Sequence, residues 1–246
     1  MLVLHESLVA ENEQHFVEGV ISWLRQLCVL ANSQEVNVCA PMLFSSVASF
    51  DFTFGCGYRN IQMIFSCLAT RSEFRESLFK GFTRIPAVPQ IQEIIERAWD
   101  LGLDSIGRRD LEGTLKHTQK WIGTEEVLAF FALFRIKYFE RGAEFMPPLY
   151  LQEKGHSRLI VGMEKDCDGN RYLLICDPAL DRSHMELLTE YADPSLLTLF
   201  RAQMNAFAKD EYQIMYINGL MKNDSEFERA QQRAYFETDM DEPCFQ

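Results

Sequence analysis

Apolar positions recur at helical spacing through the first half of the 246-residue chain and gather into short β-rich runs in the second half. Phe16, Val20, Trp23, Leu24, Leu27, Cys28 and Ala31 fall near a 3.6-residue period, which predicts an amphipathic helix over residues 12–31 with Asn12 placed to cap it. A mixed stretch from Val36 to Phe52 leads to a second predicted helix, Cys56 to Leu68. Tyr58, Ile61, Ile64, Phe65 and Leu68 line one face of it, and Gly55 and Gly57 flank its start. Pro86 and Pro89 precede a third helix that turns Ile91, Ile94, Ile95 and Ala98 inward and ends near Leu101-Gly102. Thr124 followed by Glu125 and Glu126 reads as a cap and acidic first turn for a fourth helix through Val127 to Tyr138.

After Pro147-Pro148 the pattern changes to strands: Arg158 to Glu164, Tyr172 to Asp177 and Tyr212 to Ile217. Asp-Gly and Gly-Asn steps in residues 165–170 join the first two as a hairpin. A helix with Pro194 in its first turn and Leu196, Leu197, Leu199 and Phe200 inward separates the second run from the third. Helices first and a sheet second predict an α+β fold, a helical lobe packed on a mostly antiparallel sheet. With no repeat and no long linker, residues 1–246 read as one domain with a core over about 36–220 and a polar, acidic tail from 222.

Composition narrows the function classes. Twenty-four Lys and Arg against 36 Asp and Glu give a net charge of −12, which disfavours nucleic acid as a partner, because phosphate needs a basic face. The longest apolar run, Val127 to Phe134, is far short of the ~20 residues that span a bilayer. The N-terminus lacks a basic start and an apolar core, so the expected location is cytoplasmic or nuclear. Seven cysteines without a Cys-x-x-Cys pair predict reduced thiols, with no disulfide framework, no metal and no cofactor. A monomer is expected.

One cysteine stands apart. Cys56 lies between two glycines at a predicted helix N-terminus, where free N–H groups and the helix dipole favour a thiolate, and glycines would let a substrate backbone approach. The same placement also fits a small residue at a tight turn. His156 begins the first β run and Asp177 ends the second, so the hairpin sets them side by side at one end of the sheet. An acid beside an imidazole fixes its tautomer and stabilises the imidazolium formed when the ring takes a thiol proton. His5, His15, His117 and His184 fall in polar surroundings and have no acid placed by a hairpin. Cysteine on a helix, then histidine, then aspartate on a sheet is the papain-like order.

Four ordered blocks carry a family resemblance: Phe-Gly-Cys-Gly-Tyr-Arg-Asn-Ile-Gln-Met at 54–63, Trp-Ile-Gly-Thr-Glu-Glu at 121–126, Pro-Pro-Leu-Tyr-Leu-Gln at 147–152 with Gly-His-Ser-Arg at 155–158, and Leu-Leu-Ile-Cys-Asp-Pro at 173–178. Over about residues 50–180 the chain resembles the ZUFSP-type cysteine peptidases, papain-like deubiquitinases related to the proteases that process the ubiquitin-fold modifier UFM. The resemblance implies a papain-like fold, nucleophile Cys56, base His156, orienting Asp177, and Gln152 assisting the Cys56 N–H at the oxyanion. It also implies ubiquitin and polyubiquitin as substrates, with Asp104, Trp121 and Glu126 contacting ubiquitin's Leu-Arg-Gly-Gly tail. A surface role for Gln152, a helix-start role for Glu126 and a core role for Trp121 stay open beside this.

Departures from the family pattern shape the expectation. Long members carry zinc fingers and a helical ubiquitin-binding arm, whereas this sequence has no zinc-ligand pattern and 55 residues before Cys56. Phe54 stands where the family usually has Trp. UFM-processing relatives take their histidine from Asp-Pro-His, but here Asp177-Pro178 precedes Ala179, which favours a deubiquitinase. A UFM-type peptidase and a non-catalytic ubiquitin-binding module are the alternatives.

Overall fold

The computed structural model describes residues 16–79, 84–138, 145–190, 192–203, 207 and 211–232. The central element is helix α2, Cys56–Leu68, on which every residue from Gly57 to Leu68 is buried. One face carries Ile61, Ile64, Phe65 and Leu68 into the core, and the others carry Arg59, Asn60 and Gln62, polar residues held in internal hydrogen bonds. Around it stand α1 (Val20–Leu30), α3 (Ser72–Leu78), α4 (Val88–Asp100), α5 (Ser105–Asp110) and α6 (Thr124–Leu133).

Opposite the helices lies a six-stranded antiparallel sheet in the order β8-β7-β6-β5-β9, with β2 also paired to β6. Its members are β2 (Glu35–Val38), β5 (Leu149–Glu153), β6 (His156–Lys165), β7 (Arg171–Cys176), β8 (Arg201–Gln203) and β9 (Tyr212–Met215). The ten residues of β6 serve two partners along one edge: β5 pairs with His156 to Ile160, and β2 with Gly162 to Lys165. Two small pairs complete the strands, β1 (Phe16–Val17) with β3 (Phe44–Ser45), and β4 (Ile136–Tyr138) with β10 (Ile217–Leu220). Helix and sheet residues form one continuous hydrophobic cluster, from Leu24 and Phe65 through Phe130 to Leu159 and Leu174. This is the α+β arrangement the sequence predicts.

Several boundaries differ from expectation. The first helix begins at Val20, after Gly19 at φ 77°, because Phe16 and Val17 pair with β3 instead of extending it. The proposed Asn12 cap lies outside the described residues. The fourth helix stops at Leu133: Arg135 takes φ 60° and the β-branched Ile136 leads into β4. A continuous apolar run cannot by itself distinguish buried helix from buried strand. Its cap is Gly123, with Thr124 the first helical residue. The segment around Leu196–Phe200 is a 3-10 helix, Pro194–Leu199. Helices α3, α5 and α7 (Arg182–Glu190), strands β2 and β5, and α8 (Asp224–Gln232) inside the expected tail went unpredicted.

Candidate active site

Cys56 is the first residue of α2, and Gly55 is its cap. A buried ion pair sets this start: Asp51 Oδ2 accepts from Arg59 Nε at 2.7 Å, with both side chains 0% exposed. Asp51 Oδ1 accepts from Ala48 N at 2.5 Å, and its carbonyl from Phe54 N and Gly55 N. The glycines beside Cys56 make this packing possible. A Cβ on Gly55 would overlap the Asp51 carboxylate, and one on Gly57 would sit 2.6 Å from Ile122 Cγ1. Phe54 is buried and packs edge-on against Tyr58 with ring centroids 6.0 Å apart.

The β6–β7 hairpin brings the two distant polar residues together. Leu159 pairs with Cys176, so His156 at the start of β6 reaches Asp177 just past the end of β7. His156 Nε2 lies 2.9 and 3.0 Å from Asp177 Oδ1 and Oδ2. Ala179 N donates to Asp177 Oδ1 at 2.8 Å, and Val47 N donates to the Pro178 carbonyl, tying the acid's loop to the segment that leads to Cys56. With Nε2 committed to the carboxylate, Nδ1 is the nitrogen left for Cys56. His117 and His184 are exposed, and His5 and His15 lie outside the described residues.

The electrostatics of these groups are mutually consistent. Hydrogen bonds to Asp177 and then Cys56 raise the His156 imidazole from its ordinary value to about 9, against the opposing effect of burial. Burial pushes the Cys56 thiol up, but hydrogen bonds from His156 and Ser157 outweigh it and hold the thiol below its usual range. Burial also acts on Asp177, where His156 and the Ala179 N–H overcome it and keep the carboxyl low. By contrast, burial drives Cys28 and Cys39 up to about 12 and raises Cys67 and Cys176 as well. A lowered thiol facing a raised imidazole can exist as a thiolate–imidazolium pair, the form that attacks a carbonyl carbon.

Beside this pair opens a cavity of about 410 Å³ between α5, the start of α6 and β5, lined by Asp110, Trp121, Gly123, Glu125, Glu126 and Gln152 among others. Trp121 stands at its rim, 47% exposed, and is not a core residue. Gln152 has its amide engaged: Nε2 donates to the Glu153 and His156 carbonyls at 2.7 and 3.1 Å, while Tyr150 Oη donates to Oε1 at 2.8 Å.

The two acids singled out from sequence are buried. Asp104 is the cap of α5: Oδ1 accepts from Gly107 N at 2.9 Å and Oδ2 from Trp99 Nε1 at 3.0 Å. Glu126 Oε2 accepts from Gly123 N at 2.7 Å, which closes the start of α6. The two carboxyls meet across Gly107, where a Cβ would overlap an oxygen of each. Burial raises both; the Asp104 charge raises Glu126 further. The cavity's acids nearer solvent are exposed Asp110, paired with Arg109 at 3.0 Å, and half-buried Glu125, which sequence reasoning did not single out.

Peptidase family C78 matches residues 44–145 and 135–215, a span that holds Cys56, His156 and Asp177. The chain belongs to peptidase family C78. These are cysteine peptidases, and the helix-borne thiol facing a sheet-borne His–Asp pair is the layout that such chemistry requires. Among curated proteins this C78 chain is similar to zinc finger-containing ubiquitin peptidase 1 of Homo sapiens, 31% identical over 220 residues covering 76% of this chain and 38% of that protein. The Bos taurus protein of the same name is 30% identical over the same shares. Ubiquitin carboxyl-terminal hydrolase mug105 of Schizosaccharomyces pombe is 29% identical over 178 residues, 61% of this chain and 70% of that one. The C78 chain thus spans 38% of the length of the first of these relatives. The crystal structure of UfSP from C. elegans resembles it with a TM-score of 0.49 at 16% identity, covering 89% of this chain and 40% of that one.

Asp51, Arg59, Asn60, Tyr150 and Ser157 also surround the thiol and its histidine, and sequence reasoning missed them. A signal existed for two of them. Arg59 and Asn60 fall three and four residues after Cys56, on the same helix face as its thiol, in a helix whose other residues are mostly apolar.

Proposed function

We propose that this chain is a ubiquitin-directed thiol isopeptidase, hydrolysing the bond that follows ubiquitin's C-terminal glycine, including bonds within polyubiquitin. The observation that carries the reading is the 2.9 Å His156–Asp177 contact beside a Cys56 thiol held low at a helix N-terminus. The names of the ubiquitin peptidase relatives support the substrate class.

Cys56 Sγ attacks the carbonyl carbon of the terminal glycine, and the carbonyl π electrons move onto oxygen. The Cys56 backbone N–H, at the positive end of α2, and the Gln152 amide, turning from the Glu153 and His156 carbonyls, stabilise that oxyanion. Collapse breaks the C–N bond, and the departing lysine amine takes its proton from the His156 imidazolium. Water then gives a proton to His156 and attacks the thioester, the C–S bond breaks, and the thiolate–imidazolium pair returns. The cavity beside Gln152 receives the tail. Trp121 walls it, Asp110 and Glu125 meet an arginine first, and the Asp104–Glu126 pair lies behind them.

Ubiquitin carrying a C-terminal electrophile tests this directly. The wild-type protein is expected to form a one-to-one adduct that Cys56→Ala abolishes. An adduct with the corresponding UFM probe in its place would reassign the modifier, and no adduct with either would leave only a binding module.

A further inference from the structure

Ser157, the residue after the histidine, is 0% exposed and lies opposite Gln152 in the β5–β6 register. Its side chain faces α2, where Asn60 Nδ2 donates to Ser157 Oγ at 3.0 Å. Asn60 is also 0% exposed, and it follows Cys56 by four residues, one helical turn, so the amide and the sulfur share a face. Asn60 Oδ1 finds no hydrogen-bond partner among the described residues, so the amide is held by its donor side alone. An amide N–H occupying a lone pair of the hydroxyl leaves Ser157 its own hydrogen to donate.

Two acceptors lie within reach of that hydrogen. One is the Cys56 sulfur, one turn before Asn60 on the same helix face, whose thiol Ser157 helps to hold low; the other is Tyr150 Oη, whose hydrogen is already given to Gln152. A thiolate is the charged acceptor of the two and takes the stronger bond. We propose that Ser157 is a further catalytic residue, its backbone N–H and its Asn60-oriented hydroxyl both donating to the Cys56 sulfur and stabilising the thiolate alongside His156. The inference rests on Cys56 being the nucleophile. It assigns α2 two tasks: the helix start presents the sulfur, and its next turn aims the hydroxyl that helps to hold the charge.

Asp177 stands behind His156, and Glu126 on α6 lies near both Tyr58 and Tyr150; nearest the sulfur are His156 on β6, Tyr150 on β5 and Tyr58 on α2 itself. Burial pushes both tyrosines far above their ordinary value, so of these three only His156 changes charge over an ordinary assay range. The experiment is the pH profile of iodoacetamide alkylation at Cys56, read by mass spectrometry of the Cys56-bearing peptide and needing no ubiquitin. In Ser157→Ala the midpoint is expected to rise by roughly one pH unit, with alkylation at the acid end of the profile about tenfold slower, as loss of a hydrogen bond to a charged group implies. Asn60→Ala is expected to move it the same way by less.

A Ser157→Ala midpoint equal to a low wild-type midpoint would overturn the assignment, because a merely structural serine leaves the thiol's titration alone. A wild-type Cys56 that titrates like an ordinary thiol would instead defeat the nucleophile reading itself. If circular dichroism shows Ser157→Ala unfolded, Asn60→Ala is read by the same criterion.

Discussion

Asp177→Asn removes one charge and keeps the shape of the side chain. The amide oxygen can still accept from His156 Nε2, which lies 2.9 Å from Asp177 Oδ1, so the ring keeps an orienting partner. What goes is the carboxylate that, ahead of Cys56, raises the imidazole to about 9. Relative to an ordinary histidine near 6.5, that elevation corresponds to ~3 kcal/mol favouring the imidazolium. The sign follows: a raised histidine keeps its proton, and the stabilisation that goes with it, below about 6.5, and loses both as the pH rises through about 9. At pH 8 a ring titrating near 9 is about 90% protonated and one near 6.5 about 3%, whereas at pH 6 the two differ by less than about twofold. Asp177→Asn is therefore expected to lower kcat/KM on a fluorogenic ubiquitin substrate by up to about 30-fold at pH 8, with a much smaller loss at pH 6. The alkaline limb should move down toward 6.5, stopping short of it because Cys56 still faces the ring. Equal losses at both pH values with the alkaline limb unmoved would refute the reasoning, since the acid would then act without its charge.

Asp51→Ala leaves the Arg59 guanidinium buried without its carboxylate, and urea unfolding is expected to show a loss of about 3–5 kcal/mol; under 1 kcal/mol would mean the pair does not hold the segment before Cys56. Glu126→Gln keeps an oxygen for the Gly123 N–H and removes a carboxyl whose ionisation burial and Asp104 oppose, a cost that grows as the pH climbs above the ordinary glutamate range. The variant should be about 1 kcal/mol more stable than wild type at pH 8, with the advantage fading below pH 5, and matched thermal unfolding at pH 8 would contradict this.

What could be read from sequence was whatever has a local period or a local turn. Helix α2 falls on the predicted boundaries because its apolar face is strictly periodic and Gly55 marks its start. The β6–β7 hairpin was legible for the same reason, the Asp-Gly and Gly-Asn steps being a turn signal and Gly169 taking φ 89°. Pairing across long separations was not. Strand β4 borrows its partner from β10, some 80 residues on, and nothing within Ile136–Tyr138 distinguishes it from the end of a helix. Strand β2 is exposed at Glu35 and half-buried at Val36 and Val38, an ambiguous local pattern until β6 supplies its edge.

The polar groups of the site divide along the same line. His156 and Asp177 are neighbours because two adjacent strands in one hairpin make them so. The glycines around Cys56 also make room for Asp51 and Ile122, which come from outside the helix and which sequence does not place there. The resemblance implies tail contacts for Asp104 and Glu126, with a helix-start role open for Glu126; sequence shows a charge but not its burial. The backbone N–H groups of Gly107 and Gly123 claim one oxygen of each, and Gly107 lets the remaining oxygens approach one another. Two carboxyls so placed cannot both ionise freely, so the charge they present depends on what enters the cavity. A cationic side chain arriving past Asp110 and Glu125 would favour the fully ionised pair, and binding such a substrate should therefore release protons.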